Sequence, residues 1–528
     1  MFKKTTLYLS AALLTLPLVV NADEATVVTV TDLRPLLAEL PQHCSPLPAS
    51  LTVNAQQLLQ AFYAQRAGQP AWQRSEQLQQ LREQLALLAD DGLDPSEYAL
   101  PSLVAEGFSE QCDCGDLLTS HSYLQALLHV RRGRLLQQRL EPLWSAPEQT
   151  PADSQLATLS LALLHLQTPA AAFASARPTT AQYQRLRSAY AQQRLRMLDE
   201  WPTLPSAALL KPGGNDARLP ALRTRLIAQG YLAARTDAPG TAFDEATQQA
   251  LEHFQREHGL NPDGILGPAT LTELNISAPM RREQLRANLE RLRWLAEPMG
   301  DAEVLINVAA AELQVIRHHQ LLWRSRTQVG RADRQTPLLA SRIERLTLNP
   351  TWTVPPTILR EDKLPAIRDD ISYLARHQMS VLDRAGNLLD PYTVDWQRPG
   401  AIQLRQAAGS HNPLGRLAVR FDNPFAVYLH DTPSQQLFSK APRAFSSGCV
   451  RVEAVDTLLT WLLTADELAD VQTRIASGKT QQYRLQHPAP LLIAYWTAEA
   501  TLDGDLRFYP DIYQRDARLI EALAQPAP

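Results

Sequence analysis

The chain has 528 residues, 45% of them hydrophobic and 20% charged, with a formal net charge of -4. That length exceeds one hydrophobic core, so about two to four domains are expected. The charge balance gives no basic stripe of the kind nucleic acid needs, and four Cys in so long a chain exclude a disulfide scaffold.

The chain opens with Lys3 and Lys4, an apolar run from Leu7 to Val20, and Val20-Asn21-Ala22 before the acidic Asp23 and Glu24. This pattern predicts a secretory signal peptide over residues 1–22, cut after Ala22. The run is short against the roughly 20 residues that cross a bilayer, so a retained anchor is the alternative. Either way the remainder is expected outside the cytosol. In an oxidising compartment Cys44 is expected to pair with Cys112 or Cys114, while Cys449 stands far from all three. Cys112-Asp113-Cys114 lacks the four-ligand spacing of a zinc site.

Residues 23–215 read as a mainly helical scaffold. Apolar residues recur at helical spacing in Ala55-Leu58-Leu59-Phe62, Leu78-Leu81-Leu85-Leu88, Leu124-Leu127-Leu128 and Leu156-Leu159-Leu163-Leu164. Pro-rich breaks fall at 142–151 and 169–178. The cluster Arg131, Arg132, Arg134 and Arg139 is expected on a solvated helix face. Residues 216–277 form a compact unit. One helix carries Leu219, Leu222, Leu226 and Ile227 and ends at Gly230. A second spans Phe243 to Glu257, capped by Thr241 or Asp244, and a third short one starts with Pro268 in its first turn. A linking helix follows at 278–300.

From about residue 301 the pattern becomes mostly β. Val304–Val308, Glu312–Ile316, Leu321–Gly330, Ser341–Leu348, Gly415–Phe421 and Phe425–Leu429 all read as strands. An insertion at about 359–413 interrupts them, with a helix near Leu364–Arg376, a strand at Met379–Leu382 and a turn at Ala385-Gly386-Asn387. Insertions of this length are often lids over functional sites. Residues 513–528 read as a tail.

The chemistry concentrates in Tyr428-Leu429-His430-Asp431-Thr432-Pro433-Ser434 and Ser446-Ser447-Gly448-Cys449-Val450-Arg451. Gly448 lets the backbone bend sharply before Cys449. The apolar spacing after Glu453 predicts a helix, which places the thiol near a helix N-terminus, where free N–H groups favour a thiolate and an oxyanion. His430 is expected at a strand end, projecting with Ala426 and Tyr428 opposite Phe425, Val427 and Leu429, as base and then acid for Cys449. Ser434 or a backbone carbonyl near Asp431 would fix its tautomer. Arg451, Arg443 and Lys440 add positive charge. His411 and His487 are weaker rivals for the base.

Two resemblances follow from these residues. Leu222, Gly230, Tyr231, Phe243, Ala250, Phe254, Gln255, Asp263, Gly264, Gly267 and Thr270 resemble a three-helix peptidoglycan-binding domain. His430, Thr432 and the run Ser446 to Arg451, with His430 nineteen positions before Cys449, resemble the signature of the YkuD-type L,D-transpeptidase catalytic domain. Most members carry Gly after the His, where this chain has Asp431; large members with a scaffold and a wall-binding domain share that departure.

The resemblance implies a periplasmic enzyme, or one anchored in the inner membrane facing the periplasm. It would act on peptidoglycan tetrapeptide stems and join two of them in a 3-3 cross-link through a Cys449 thioester. His430 would be its base and acid. The N–H of Cys449, with that of Gly448, would hold the oxyanion. Ser446, Ser447, Thr432, Tyr428, Arg443 and Arg451 would shape the site and bind the donor stem, and Tyr392 and Trp396 would reach it from the lid. No metal or organic cofactor is called for, carbapenems would acylate the cysteine, and other wall-synthesis proteins are conceivable partners. The alternatives are an L,D-carboxypeptidase, an endopeptidase or a lipoprotein-anchoring enzyme using the same thiol, or a non-catalytic peptidoglycan-binding scaffold protein.

Overall fold

The computed structural model describes residues 32–38, 53–98, 100, 111–145, 151–196, 203–234, 240–318, 320–501 and 503–526. The expected signal peptide and Cys44 lie outside these residues. Among the described residues no helix is long and apolar enough to cross a membrane.

The N-terminal part is helical, as its periodicity predicts. Helices Val53–Gln65, Ser75–Leu87, Gln111–Arg132 and Pro151–Leu164 bury Leu58, Phe62, Leu81, Leu124 and Leu127 in one core. Pro169, expected in a break, instead begins the helix Pro169–Ala176, because proline at a first helical position gives up no intrahelical bond. Cys114 is disulfide-bonded, whereas Cys449 is a free thiol; the Cys112 side chain, like Cys44, is outside the described residues. Of the arginine cluster only Arg139 is solvated as expected. Arg132 and Arg131 pair with Glu297 at 2.7 and 3.5 Å. Arg134 is buried, bonded to Glu97 at 2.6 Å and to the carbonyls of Ala522, Leu523 and Gln525.

The small second unit has helices Leu219–Ala228, Glu245–Glu257 and Pro268–Leu274. Asp244, not Thr241, is the N-cap of the middle helix and accepts the Thr247 N–H. The unit docks on the C-terminal β part: His258 stacks between Phe254 and Phe508, and Arg507 pairs with Glu257 at 3.0 Å.

Helix Ala278–Trp294 is the spine of the molecule. Leu285, Leu289 and Leu292 pack with Tyr183 and Leu186 of helix Ala181–Leu195, with Leu492 and Ala494 of the large sheet, and with Trp496 just beyond it. The expected tail is a docked helix, Asp516–Ala524, whose Leu519 and Leu523 pack against Ala287 and Trp294 of the spine.

The β part is built from strands β1 (Trp144–Ser145), β2 (Val304–Asn307), β3 (Glu312–Arg317), β4 (Gln320–Gly330) and β5 (Leu339–Leu348). After the insertion come β10 (Leu417–Phe421), β11 (Leu429–His430), β12 (Ala444–Ser446), β13 (Val450–Val452) and β14 (Gln481–Ala494). The order runs β1-β5-β10-β11-β13-β4-β3-β2-β14, and β14 also pairs with β5, so the sheet closes on itself. Closure removes the free edges and encloses a core of Ile306, Leu313, Val329, Leu346, Val419, Leu429, Val450 and Ile493. Helix Val455–Leu462 and the capping-box helix Ala465–Ala476 add Leu458, Leu459 and Val471 to that core. The expected strand at 425–429 shortens to Leu429–His430; Phe425 is half exposed and meets Trp144 edge-on, and Ala426 has φ +56.

The insertion is a subdomain with its own core. Strands β6 (Trp352–Thr353), β7 (Met379–Leu382), β8 (Leu388–Leu389) and β9 (Gln403–Gln406) form an antiparallel sheet in the order β6-β9-β7-β8. Trp352, Ile367, Leu374, Val381, Leu404 and Leu414 fill it. The single helix expected at 364–376 is two, Leu364–Asp369 and Ser372–Arg376, entered through a π-turn at Leu359–Lys363.

Candidate active site

Cys449 sits in the bend between β12 and β13 rather than at a helix N-terminus; the helix begins only at Val455. The bend needs Gly448, whose φ is +111. Ser446 Oγ accepts the Gly448 N–H at 3.1 Å and donates to the Cys449 carbonyl. Thr336 Oγ1 donates to the Gly448 carbonyl at 2.9 Å, and the Thr336 N–H donates to the Tyr513 hydroxyl at 2.9 Å. The Cys449 loop is therefore bolted from both sides. Gly448 has already committed its N–H, so it is not the second oxyanion donor expected of it. The Cys449 N–H has no acceptor among the described residues.

β11 and β13 run parallel, with Leu429 opposite Val450 and His430 opposite Arg451; Val450 N–H donates to the Tyr428 carbonyl at 3.1 Å. Leu429 and Val450 point into the core, so the alternation puts Tyr428, His430 and Arg451 on the other face, next to Cys449. The Tyr428 and His430 rings lie 5.6 Å apart. His430 Nδ1 donates to the Asp431 carbonyl at 2.5 Å, which orients the ring.

Burial pushes the Cys449 thiol up. Hydrogen bonds from the Tyr428 main chain and hydroxyl, and the charges of Arg420 and Arg451, oppose it only in part. Burial, helped by the Arg451 charge, depresses His430 to about 3. The resting pair is thus a neutral thiol and a neutral imidazole, not the thiolate expected from a helix terminus.

Asp431 replaces the usual Gly for a visible reason. Its carboxylate accepts the Arg416 N–H at 2.9 Å and fills the space over Gly415, where a Cβ would meet Asp431 Oδ2 at 2.2 Å. Arg451 is mostly buried and gives Nη1 to Gln328 at 3.0 Å; its Nε has no partner. Thr432 Oγ1 accepts the Ser434 N–H at 3.2 Å and shapes the loop after His430. Ser447 is exposed and its Oγ accepts from Arg334 at 3.1 Å.

Other expected site residues lie elsewhere. Arg443 turns away to the carbonyls of Thr327, Ala310 and Ala311 and works as a brace. Trp396 packs against the lid core and donates to the Pro391 carbonyl at 2.9 Å, while Tyr392 is 79% exposed. Arg334, Thr336, Arg420 and Tyr513 are neighbours that no local motif announces. Arg420 stacks 3.8 Å from the Tyr428 ring centroid.

With this geometry in view, comparison with known proteins is specific. Residues 301–476 match the model of the L,D-transpeptidase catalytic domain (YkuD), residues 57–189 that of a "Scaffold domain", and residues 215–274 that of a "Putative peptidoglycan binding domain". The chain is a multi-domain protein that joins a YkuD-type catalytic domain to a scaffold domain and a peptidoglycan-binding domain. It is 34% identical over 281 residues to the "Putative L,D-transpeptidase" of Haemophilus influenzae, a match covering 51% of this chain and 56% of that protein. The chain therefore spans a little over half the length of that relative. A 65-residue stretch is 37% identical to the N-acetylmuramoyl-L-alanine amidase CwlL of Bacillus licheniformis, covering 12% of this chain and 18% of the other. Among solved structures, an L,D-transpeptidase from Mycobacterium smegmatis aligns at 15% identity with a TM-score of 0.18, over 37% of this chain and 59% of that one.

Proposed function

We propose that the protein is a peptidoglycan L,D-transpeptidase with Cys449 as nucleophile, acting outside the cytosol. The observation that carries this reading is the free Cys449 thiol, held in a clamped bend with an unused N–H beside a histidine oriented by a backbone carbonyl. The catalytic-domain match over residues 301–476 supports it, and the peptidoglycan-binding match supports a wall substrate.

In the first half-reaction Cys449 Sγ attacks the carbonyl carbon joining the third-position diamino acid of a tetrapeptide stem to its terminal D-Ala. His430 takes the thiol proton as the S–C bond forms, because neither group is charged beforehand. The Cys449 N–H holds the oxyanion. The C–N bond breaks, the imidazolium gives its proton to the leaving D-Ala amine, and a thioester remains. In the second half-reaction the side-chain amine of a neighbouring diamino acid attacks the thioester. The C–S bond breaks and the amine's proton returns through His430 to the sulfur, leaving a 3-3 cross-link. Arg451, on the face that carries His430 and beside the thiol, supplies the positive charge that holds a donor carboxylate. A carbapenem acylates the same sulfur.

The test is incubation with muropeptides bearing tetrapeptide stems, followed by mass analysis. Wild type is expected to yield a dimer lacking one D-Ala, and Cys449→Ala none. Trimmed tripeptides without dimer would replace transpeptidation by carboxypeptidation, and products from Cys449→Ala would remove the thiol from the mechanism.

A further inference from the structure

Arg334 lies between β4 and β5, outside every motif of the sequence. Its side chain is only 10% exposed, yet it faces the root of the lid. Nη1 donates to Asp362 at 2.7 Å and to Ser447 Oγ at 3.1 Å. Nη2 donates to Glu361 at 2.7 Å and to Asp362 at 2.8 Å. Glu361 and Asp362 belong to the π-turn Leu359–Lys363 through which the chain enters the lid; such turns interrupt the regular ladder and recur at functional positions. Ser447 is two residues from the nucleophile. One planar guanidinium thus spans two lid carboxylates and the nucleophile loop, a geometry that a lysine ammonium does not reproduce. A second contact runs the same way: Tyr428 packs against the lid core, and its carbonyl accepts the N–H of Val450, next to Cys449, at 3.1 Å.

We propose that Arg334 is a positioning residue that couples the lid to the nucleophile loop. With both lid acids bound, its Nη1 keeps Ser447 in place and the lid stays seated beside Cys449. When the acids are withdrawn, the same guanidinium loses the anchor that orients it, the loop loosens and the thiol opens to solvent. The inference rests on the L,D-transpeptidase reading only for its effect on turnover.

The test compares Arg334→Gln, Arg334→Lys, the double variant Glu361→Gln/Asp362→Asn and the charge-swapped pair Arg334→Asp/Asp362→Arg. Two readouts need no substrate: the alkylation rate of Cys449 by iodoacetamide, and amide exchange in 359–413 and 446–449. Arg334→Gln and the double lid variant are each expected to speed alkylation about tenfold and to raise exchange in both segments together, since opening hydrates a thiol held down by burial. Arg334→Lys should fall short of wild type, and the swapped pair should recover part of the protection. On muropeptides, kcat should drop more than KM rises. The lid acids are 43% and 36% exposed, so their neutral variants keep the test open even where Arg334→Gln fails to fold. Wild-type alkylation in the lid-acid variant, or exchange that rises in the lid alone, would overturn the coupling. If wild type cross-links nothing while alkylation responds as stated, the functional reading falls and the coupling stands.

Discussion

At the scale of single residues, burial sets the chemistry. His430 is held to about 3 and Cys449 is pushed up, both chiefly by desolvation. Alkylation of Cys449 should therefore climb only above the ordinary thiol range and show no plateau at pH 5–7, where a thiolate–imidazolium pair would produce one. The same burial makes the fold acid-sensitive. Burial likewise holds His121 at about 4 and His129 at about 3, against 6.5 for an open chain. The unfolded chain takes up these protons first, so the stability they represent is complete above pH 6.5 and is lost as pH falls towards 3. Melting temperatures should drop through that window, and less steeply in His129→Gln. An unchanged slope in that variant would remove His129 from the account.

At the scale of elements, the turn before β10 and the residue after the catalytic histidine are one unit. Gly415 has φ +59 and no room for a Cβ beneath Asp431. Gly415→Ala should cost about 2 kcal/mol or more, combining left-handed strain with a steric clash. It should also lower turnover by displacing the carbonyl that His430 donates to. Adding Asp431→Gly should relieve the clash but not the backbone strain, so a denaturation series on the double variant should show partial recovery. Full additivity of the two losses would mean the residues are independent. The pairing was legible only as a departure from Gly after His430; that its compensation lay sixteen positions upstream was not, because Gly415 reads locally as an ordinary turn residue.

At the scale of the whole molecule, buried ion pairs join the parts. Arg291 on the spine helix bonds Glu141 at 2.7 Å and Asp516 at 2.5 Å, with Asn288 and Thr497 beside it. Arg293 pairs with Glu290 and donates to the Asp91 carbonyl, while the Asp91 carboxylate takes Arg177, Arg187 and Tyr183. Arg291→Met strands two buried carboxylates from two separate segments and should cost about 3–5 kcal/mol. Calorimetry should show the catalytic and scaffold parts melting apart in that variant; a single transition at the wild-type temperature would count against the spine as their tie.

Local periods and turns in the chain specify the layout of a helical scaffold, a three-helix unit and a mostly β C-terminal part. The sequence also singles out Cys449 and His430 as the candidate pair, because Ser446 to Arg451 is contiguous and His430 stands a short distance before it. Only the tertiary structure decided the protonation of that pair, because burial is a property of everything packed around it. It also decided that the thiol opens a strand: the helix pattern after Glu453 is real, but β13 pairs between β11 and β4 before that helix starts. Arg334, Thr336 and Tyr513 became neighbours of the nucleophile through sheet closure and the docked C-terminal segment, and no local pattern encodes contacts between segments more than a hundred residues apart.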